Sequence, residues 1–146
     1  RLGIMIDVSH SSENVVNDVL NLSDQPILVS HTGFNGHCPS SRNISDSLMK
    51  EIAKKDGLVA VGFWHAAVCN NTPQSVAEAI QYGIELIGAK HVALGSDFDG
   101  AVRPGFDTSE LVAITHELLE AGVKESEIRL VMGENMLNFL KKNLAD

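Results

Sequence analysis

Short apolar runs alternate along the chain with longer stretches of helical periodicity, and this alternation restricts the possible folds more than any other feature. Buried strands are predicted over residues 4–8, 27–30, 58–63 and 92–95. Helices are predicted over residues 11–22, 46–55, 73–87, 107–122, 124–131 and 134–144. No segment carries a hairpin signal, so the pattern predicts an α/β fold with a parallel sheet and right-handed crossovers.

Two architectures accommodate four strand–helix units. One is a small open sheet, which the length of 146 residues favours. The other is half of a (β/α)8 barrel, because a complete barrel needs roughly 200 residues or more. The chemistry of the loops favours the half-barrel. Residues 1–146 are therefore predicted to be the C-terminal half of a TIM barrel domain, with four parallel strands and flanking helices. The N-terminal half of that domain is absent from this chain. The start at Arg1 rather than Met fits a processed or fragmentary chain.

Charge and composition narrow the possible partners. The net charge is −8 and no basic patch occurs, which argues against a nucleic-acid partner. No apolar stretch is long enough to span a bilayer. Cys38 and Cys69 do not form a C-x-x-C motif; they are either two unlinked thiols or one disulfide. Because the cysteines do not decide between these states, the protein is expected to be either cytoplasmic or exported or membrane-associated.

Side chains capable of chemistry follow the predicted strands. They are His10, His31, Trp64, His65, Asp97 and Asp99. In parallel α/β folds the active site is built at the carboxyl ends of the strands. The turns at the opposite ends of the strands carry no comparable set.

The two histidines sit at matching positions of neighbouring strands. His10 continues the even-numbered row of residues 4–8, and His31 continues the odd-numbered row of residues 27–29. If these rows point into a barrel, both imidazoles reach its mouth and could share or bracket one metal ion, for which zinc is suited. The alternative is two neutral, hydrogen-bonded histidines. Because both follow strands with the same parity, the metal is favoured. Ser9 and Ser30 precede these histidines but are expected to point away from them, since consecutive strand side chains alternate.

Two further groups are candidates for the site. Asp97 and Asp99, in the segment Ser-Asp-Phe-Asp-Gly, could bind a cation, act as a general base or cap the next helix. Arg42 lies in a long loop 11 residues after His31. An arginine there is suited to two-pronged binding of a carboxylate. Asp7 is a polar residue in a buried strand, and its role is not explained by sequence.

Taken together, these segments resemble the membrane dipeptidase (renal dipeptidase) family. The matching segments are Gly3–His10, Pro26–His31, Ser41–Asp46, Gly95–Gly100 and Val131–Leu137. The order of the five segments is specific, whereas no single one is. The resemblance covers essentially the whole chain.

The resemblance implies a (β/α)8 barrel with two zinc ions that hydrolyses dipeptides. It implies that His10 and His31 ligate one zinc, that Arg42 binds the substrate carboxylate and that Asp97 is the active-site aspartate, with Asp99 as a neighbour of less certain role. The family also uses a His-x-Asp pair and a metal-bridging glutamate, and no His-x-Asp pair occurs in this chain. The chain alone is therefore expected to be inactive.

Two other functions remain open at this point. A non-catalytic α/β binding module would be a stable monomer without a transition metal. A barrel metallohydrolase of the amidohydrolase type would typically need a lysine or carbamate bridge. Because a half-barrel leaves sheet edges exposed, the chain is expected to pair with its missing half or to self-associate as a homo-oligomer.

Overall fold

The computed structural model describes residues 3–144, and helices alternate with strands over that range. The strands are β1 (Leu28–Thr32), β2 (Leu58–Val61) and β3 (Val92–Leu94). The helices are α1 (Glu13–Leu22), α2 (Asp46–Lys54), α3 (His65–Val68), α4 (Pro73–Ile87), α5 (Leu111–Glu120), α6 (Glu125–Arg129) and α7 (Asn135–Asn143). Single 3-10 turns cover Ala89–His91 and Thr108–Glu110, and a wide helical turn, Leu130–Glu134, joins α6 to α7. The expected extent, 1–146, includes four residues outside this range.

The strands form a parallel sheet in the order β1-β2-β3, which confirms the predicted α/β class. The predicted count of four strands is wrong for residues 3–144, where three form. The expected first strand, residues 4–8, makes only one parallel bridge, between Asp7 and Leu28. It has a neighbour on one side only, and Ile4 is 77 % exposed, so little burial holds it in a strand.

Two apolar clusters pack on the two faces of the sheet. The larger joins Ile27 and Val29 to helix residues such as Val16 of α1 and Met49 of α2. The smaller joins Leu58, Ala60, Ala93 and Phe139, with Leu28 packed against it. The odd-numbered row of residues 27–29 therefore faces the helices, and the smaller cluster occupies the opposite face.

Helix starts follow the sequence signals closely. Thr72 accepts a hydrogen bond from the backbone of Ser75 and forms a capping box at the start of α4. Asp107 and Glu110 form a second capping box, although it starts a 3-10 turn that leads into α5. The helix predicted over residues 11–22 begins at Glu13, and Ser12 is its cap. Among residues 3–144, no helix has the length and apolar character needed to cross a membrane.

Candidate metal and substrate site

The two histidines predicted to bind metal meet in the structure. The Nε2 atoms of His10 and His31 lie 2.9 Å apart, and the rings pack edge to face with centroids separated by 4.9 Å. His31 lies in β1, and His10 follows the segment that bridges to β1. The contact is at the carboxyl end of β1, the end at which parallel α/β folds place their sites.

Two backbone irregularities bring the imidazoles together. The pairing of β1 with β2 shifts register between Val29 and Thr32, so β1 carries an extra residue there. His10 has a φ of 65°, in the left-handed region that non-glycine residues rarely adopt. The sequence predicts that His31 points to the same face of the sheet as Val29. This argument is wrong, because Val29 faces the helices and the bulge turns His31 away from that face.

The same bulge overturns the expected separation of Ser30 from His31. Ser30 Oγ lies 2.8 Å from His31 Nδ1 and 3.1 Å from Ser9 Oγ. Asp7 Oδ1 accepts hydrogen bonds from the backbone amides of Ser9 and Ser30 at 3.0 and 3.1 Å. Burial raises the pKa of Asp7, but hydrogen bonds from Ser30 and Ser9 outweigh it and leave the pKa below its usual value.

Arg42 reaches the histidine pair from the loop after β1. Its Nη2 donates to the carbonyl oxygen of His31 at 3.2 Å and lies 3.3 Å from His10 Nε2. The guanidinium stacks over the buried Trp64 ring, with Cζ 5.4 Å from the ring centroid. Burial lowers the pKa of Arg42, while the charges of Asp97 and Asp7 oppose this, so the site holds a fixed cation.

The loop that carries Arg42 is fastened at several points. A disulfide joins Cys38 to Cys69, which resolves the two alternatives left open by the sequence. The buried side chain of Asn43 donates from Nδ2 to the carbonyl oxygens of Cys38 and Ala67, at 2.8 and 2.9 Å. Both anchors tie the loop to the region around α3, so Arg42 is presented from a constrained segment.

The aspartates after β3 occupy different environments. Asp97 is half-buried with a φ of 58°, whereas Asp99 is exposed. Between them, Phe98 packs against Phe63 and Phe106, with ring centroids 5.6 and 6.3 Å away. Within residues 3–144, Asp97 makes no hydrogen bond to either histidine or to Arg42. Its negative charge nevertheless acts on the site, because it raises the pKa of Arg42.

The donor set fits part of a metal site. Two imidazole nitrogens bound at about 2.0–2.1 Å to one tetrahedral zinc would lie roughly 3.3 Å apart, close to the separation of the two Nε2 atoms. No group of three or more His, Cys, Asp or Glu side chains within residues 3–144 could hold a metal ion. A zinc centre here would therefore need further ligands from outside this range.

Sequence reasoning gave no role in the site to Asp7, Ser9 or Ser30, and it named Trp64 without its contact with Arg42. A signal existed for the first two, since they are polar residues in an otherwise apolar segment. Ser30 could not be found this way, because its approach to His31 depends on the bulge.

Comparisons with known proteins identify dipeptidases among the relatives of this chain. Dipeptidase ataJ of Aspergillus terreus is 32 % identical over 96 % of the chain, and dipeptidase aclJ of Aspergillus oryzae is 35 % identical over 96 %. The chain covers only 36 % and 35 % of these two proteins, about a third of their length. A metallopeptidase from Rhodobacter sphaeroides, crystallised with a phosphinate mimic of the dipeptide L-Ala-D-Ala, superposes with a TM-score of 0.88 at 29 % identity.

That superposition covers 97 % of this chain and 43 % of the Rhodobacter protein. A second crystal structure, dipeptidase AC of peptidase family M19, superposes with a TM-score of 0.89 at 29 % identity, covering 99 % of this chain and 44 % of that one. The family model for membrane dipeptidases matches residues 1–145. The chain therefore belongs to the membrane dipeptidase family of metallopeptidases, peptidase family M19.

Proposed function

We propose that the complete protein containing this chain is a zinc-dependent dipeptidase. The observation that carries the proposal is the meeting of the His10 and His31 Nε2 atoms, 2.9 Å apart, beside the Arg42 guanidinium. Two nitrogen ligands form part of a zinc site, and a fixed cation can orient a small anionic substrate.

Each residue has a defined task in this proposal. His10 and His31 hold one zinc ion through Nε2, and the complete site holds two zinc ions. Arg42 binds the C-terminal carboxylate of the dipeptide, and its packing on Trp64 fixes where that carboxylate lies. This fixed reach selects substrates of two residues, because the carboxylate then stands one residue from the reacting carbonyl. Asp97 would take a proton from the water that attacks the carbonyl carbon and pass it to the amine nitrogen as the C–N bond breaks. A bound zinc supplies a Lewis acid that polarises that carbonyl.

The chain is proposed to form the C-terminal half of a (β/α)8 barrel. Such a half would contain parallel strands with helices packed on their outer face, and here α1, α2 and α4 pack on one face of a three-stranded parallel sheet. The smaller apolar cluster on the other face includes Phe139 of α7. The segment around Ile4 and Ile6, 77 % and 39 % exposed, would be covered by the strands of the missing half. That half would also supply the remaining metal ligands, so the isolated chain is expected to be inactive. Self-association stays a prediction that a size measurement can check.

Removal and return of metal test the proposal directly. We expect dialysis of the complete protein against a zinc chelator to abolish glycyl-dipeptide hydrolysis and added zinc to restore it. The matched substrate is the same dipeptide with its C-terminal carboxylate amidated, which should be turned over poorly because Arg42 loses its anionic partner. Full turnover by the metal-depleted protein would exclude the proposed function.

A further inference from the structure

We propose that Asp7, Ser9 and Ser30 are positioning residues that fix the ring of His31 and keep the ring proton on Nδ1 when Nε2 binds a metal. We call these three residues the Asp7–Ser9–Ser30 network. The claim that the network keeps the proton on Nδ1 when Nε2 binds a metal rests on the proposed function. The claim that the network fixes the orientation of the His31 ring does not.

The first link is the Ser30 hydroxyl. Ser30 Oγ lies 2.8 Å from His31 Nδ1, a normal hydrogen-bond distance, and is half-buried with the ring. An imidazole can offer a lone pair at Nε2 only when Nδ1 carries the proton or the ring is anionic. Ser30 Oγ then accepts from Nδ1–H, and this bond fixes both the tautomer and the ring rotation.

The second link is Ser9, which ties the first segment of the chain to β1. Ser9 Oγ accepts from the backbone amide of His31 at 3.1 Å, so it holds the main chain of the residue whose side chain is being oriented. It also lies 3.1 Å from Ser30 Oγ and can accept that hydroxyl's single hydrogen. The Ser30 hydrogen then points away from Nδ1, as the required tautomer demands.

The third link is Asp7, the polar residue that the sequence left unexplained. Asp7 Oδ1 accepts from the amides of Ser9 and Ser30, and so satisfies a donor in the bulged stretch of β1. A carboxylate is an acceptor-only group that can take both amides at once. Asp7 therefore fixes the spacing of the two serines, and through them the orientation of His31.

Ser30→Ala and Ser30→Thr form the central comparison, made in the complete protein. Loss of a partner behind a metal-binding histidine typically weakens metal binding by about 10- to 100-fold. We expect Ser30→Ala to weaken zinc binding by about that factor, measured by competition with a chelating dye. Ser30→Thr keeps the hydroxyl and suits a strand, so its affinity should stay within about threefold of the wild type.

The tautomer is measured separately, by the 15N chemical shifts of the His31 ring with and without zinc. In the zinc-bound protein we expect a protonated Nδ1 whose shift moves in Ser30→Ala and returns in Ser30→Thr. A purely structural role for Ser30 would lower the unfolding temperature without a selective change at His31 Nδ1. Unchanged zinc affinity together with an unchanged Nδ1 shift in Ser30→Ala would overturn the proposal.

Asp7→Asn and Asp7→Ala provide the second pair, useful where Ser30 variants fold poorly. Asparagine keeps an oxygen that can accept both amides, whereas alanine removes it. We expect the His31 Nδ1 shift to move in Asp7→Ala and to stay near the wild-type value in Asp7→Asn. If the wild type binds no zinc, the proposed function fails; the Nδ1 shift of the zinc-free protein still decides whether Ser30 holds the ring.

Discussion

The Nε2 atoms of His10 and His31 lie 2.9 Å apart although the two residues are 21 positions apart in the chain. At this distance one Nε2 can donate a hydrogen bond to the other, and the contact brings both ring nitrogens to one point. His10 is held there by a left-handed backbone conformation and His31 by the bulge in β1. Non-glycine left-handed conformations cost of order 1–3 kcal/mol and cluster at functional sites.

Replacing either histidine by alanine should remove zinc from the site. We expect His10→Ala and His31→Ala to lower the zinc content of the complete protein by about one ion. We expect dipeptide turnover to fall by about 100-fold or more, since loss of a ligand should exceed the loss of its supporting partner. Atomic absorption after dialysis and initial rates give the two readouts. His116→Ala, an exposed position of α5, is the control and should change neither. Full zinc content in His31→Ala would contradict the assignment.

Arg42→Lys keeps the positive charge but removes the planar guanidinium that stacks over Trp64. The lost charge-assisted contact is worth about 1.5–3 kcal/mol, so KM for a dipeptide should rise about 10- to 100-fold. The rise in KM should exceed any fall in kcat, because Arg42 binds the carboxylate away from the bond that breaks. Arg103→Lys, on an exposed loop, is the matched control. An equal KM for the wild type and Arg42→Lys would show that another group binds the carboxylate.

The Cys38–Cys69 disulfide should stabilise the segment that presents Arg42. It closes a loop with a sequence separation of 31, for which a stabilisation of about 2–4 kcal/mol is typical. The double variant Cys38→Ser/Cys69→Ser should therefore show a lower free energy of unfolding in urea and a raised KM. Adding a thiol reductant should lower the stability of the wild type and leave the double variant unchanged. A reductant effect of equal size on both proteins would locate the sensitivity elsewhere.

The parts of the fold and of the site that the sequence predicts correctly are those determined by residues close together in the chain. The α/β class and the start of α4 at Thr72–Pro73 followed from periodicity and capping chemistry, which the chain carries within a few residues. The identities of His10, His31 and Arg42 followed from their positions after predicted strands, and the structure brings these three together.

The features that escaped prediction depend on pairing between distant segments. Whether residues 4–8 form a strand is decided by neighbours on both sides, and β1 is the only one within residues 3–144. In the bulge of β1 the amide of Ser30 donates to Asp7, 23 residues earlier in the chain. Alternation could not anticipate the contact of Ser30 with His31, because a single extra residue reverses the parity of every side chain after it.

Tyr82 provides a prediction about pH that is independent of metal. Its hydroxyl donates to Asp46 Oδ2, and Asp46 Oδ1 accepts the amide of Gly36 in the loop that leads to Arg42. The hydrogen bond to Asp46, followed by burial and the charge of Asp46, raises the pKa of Tyr82 above its usual value of about 10.

The sign of the resulting pH dependence follows from that shift. The folded state keeps the Tyr82 proton at pH values where the unfolded state has lost it. The stabilisation is therefore complete below about pH 10 and is lost as the pH rises through the raised pKa. Tyr82→Phe should lower stability by about 1.5–3 kcal/mol at neutral pH, as expected for a hydrogen bond to a charged group, and should flatten the alkaline loss. Urea unfolding from pH 7 to 11 checks this.

Because Tyr82 is the only tyrosine in the chain, the wild-type minus Tyr82→Phe absorbance at 295 nm reports its titration. A midpoint at or below 10 would show that Asp46 does not hold the phenol proton.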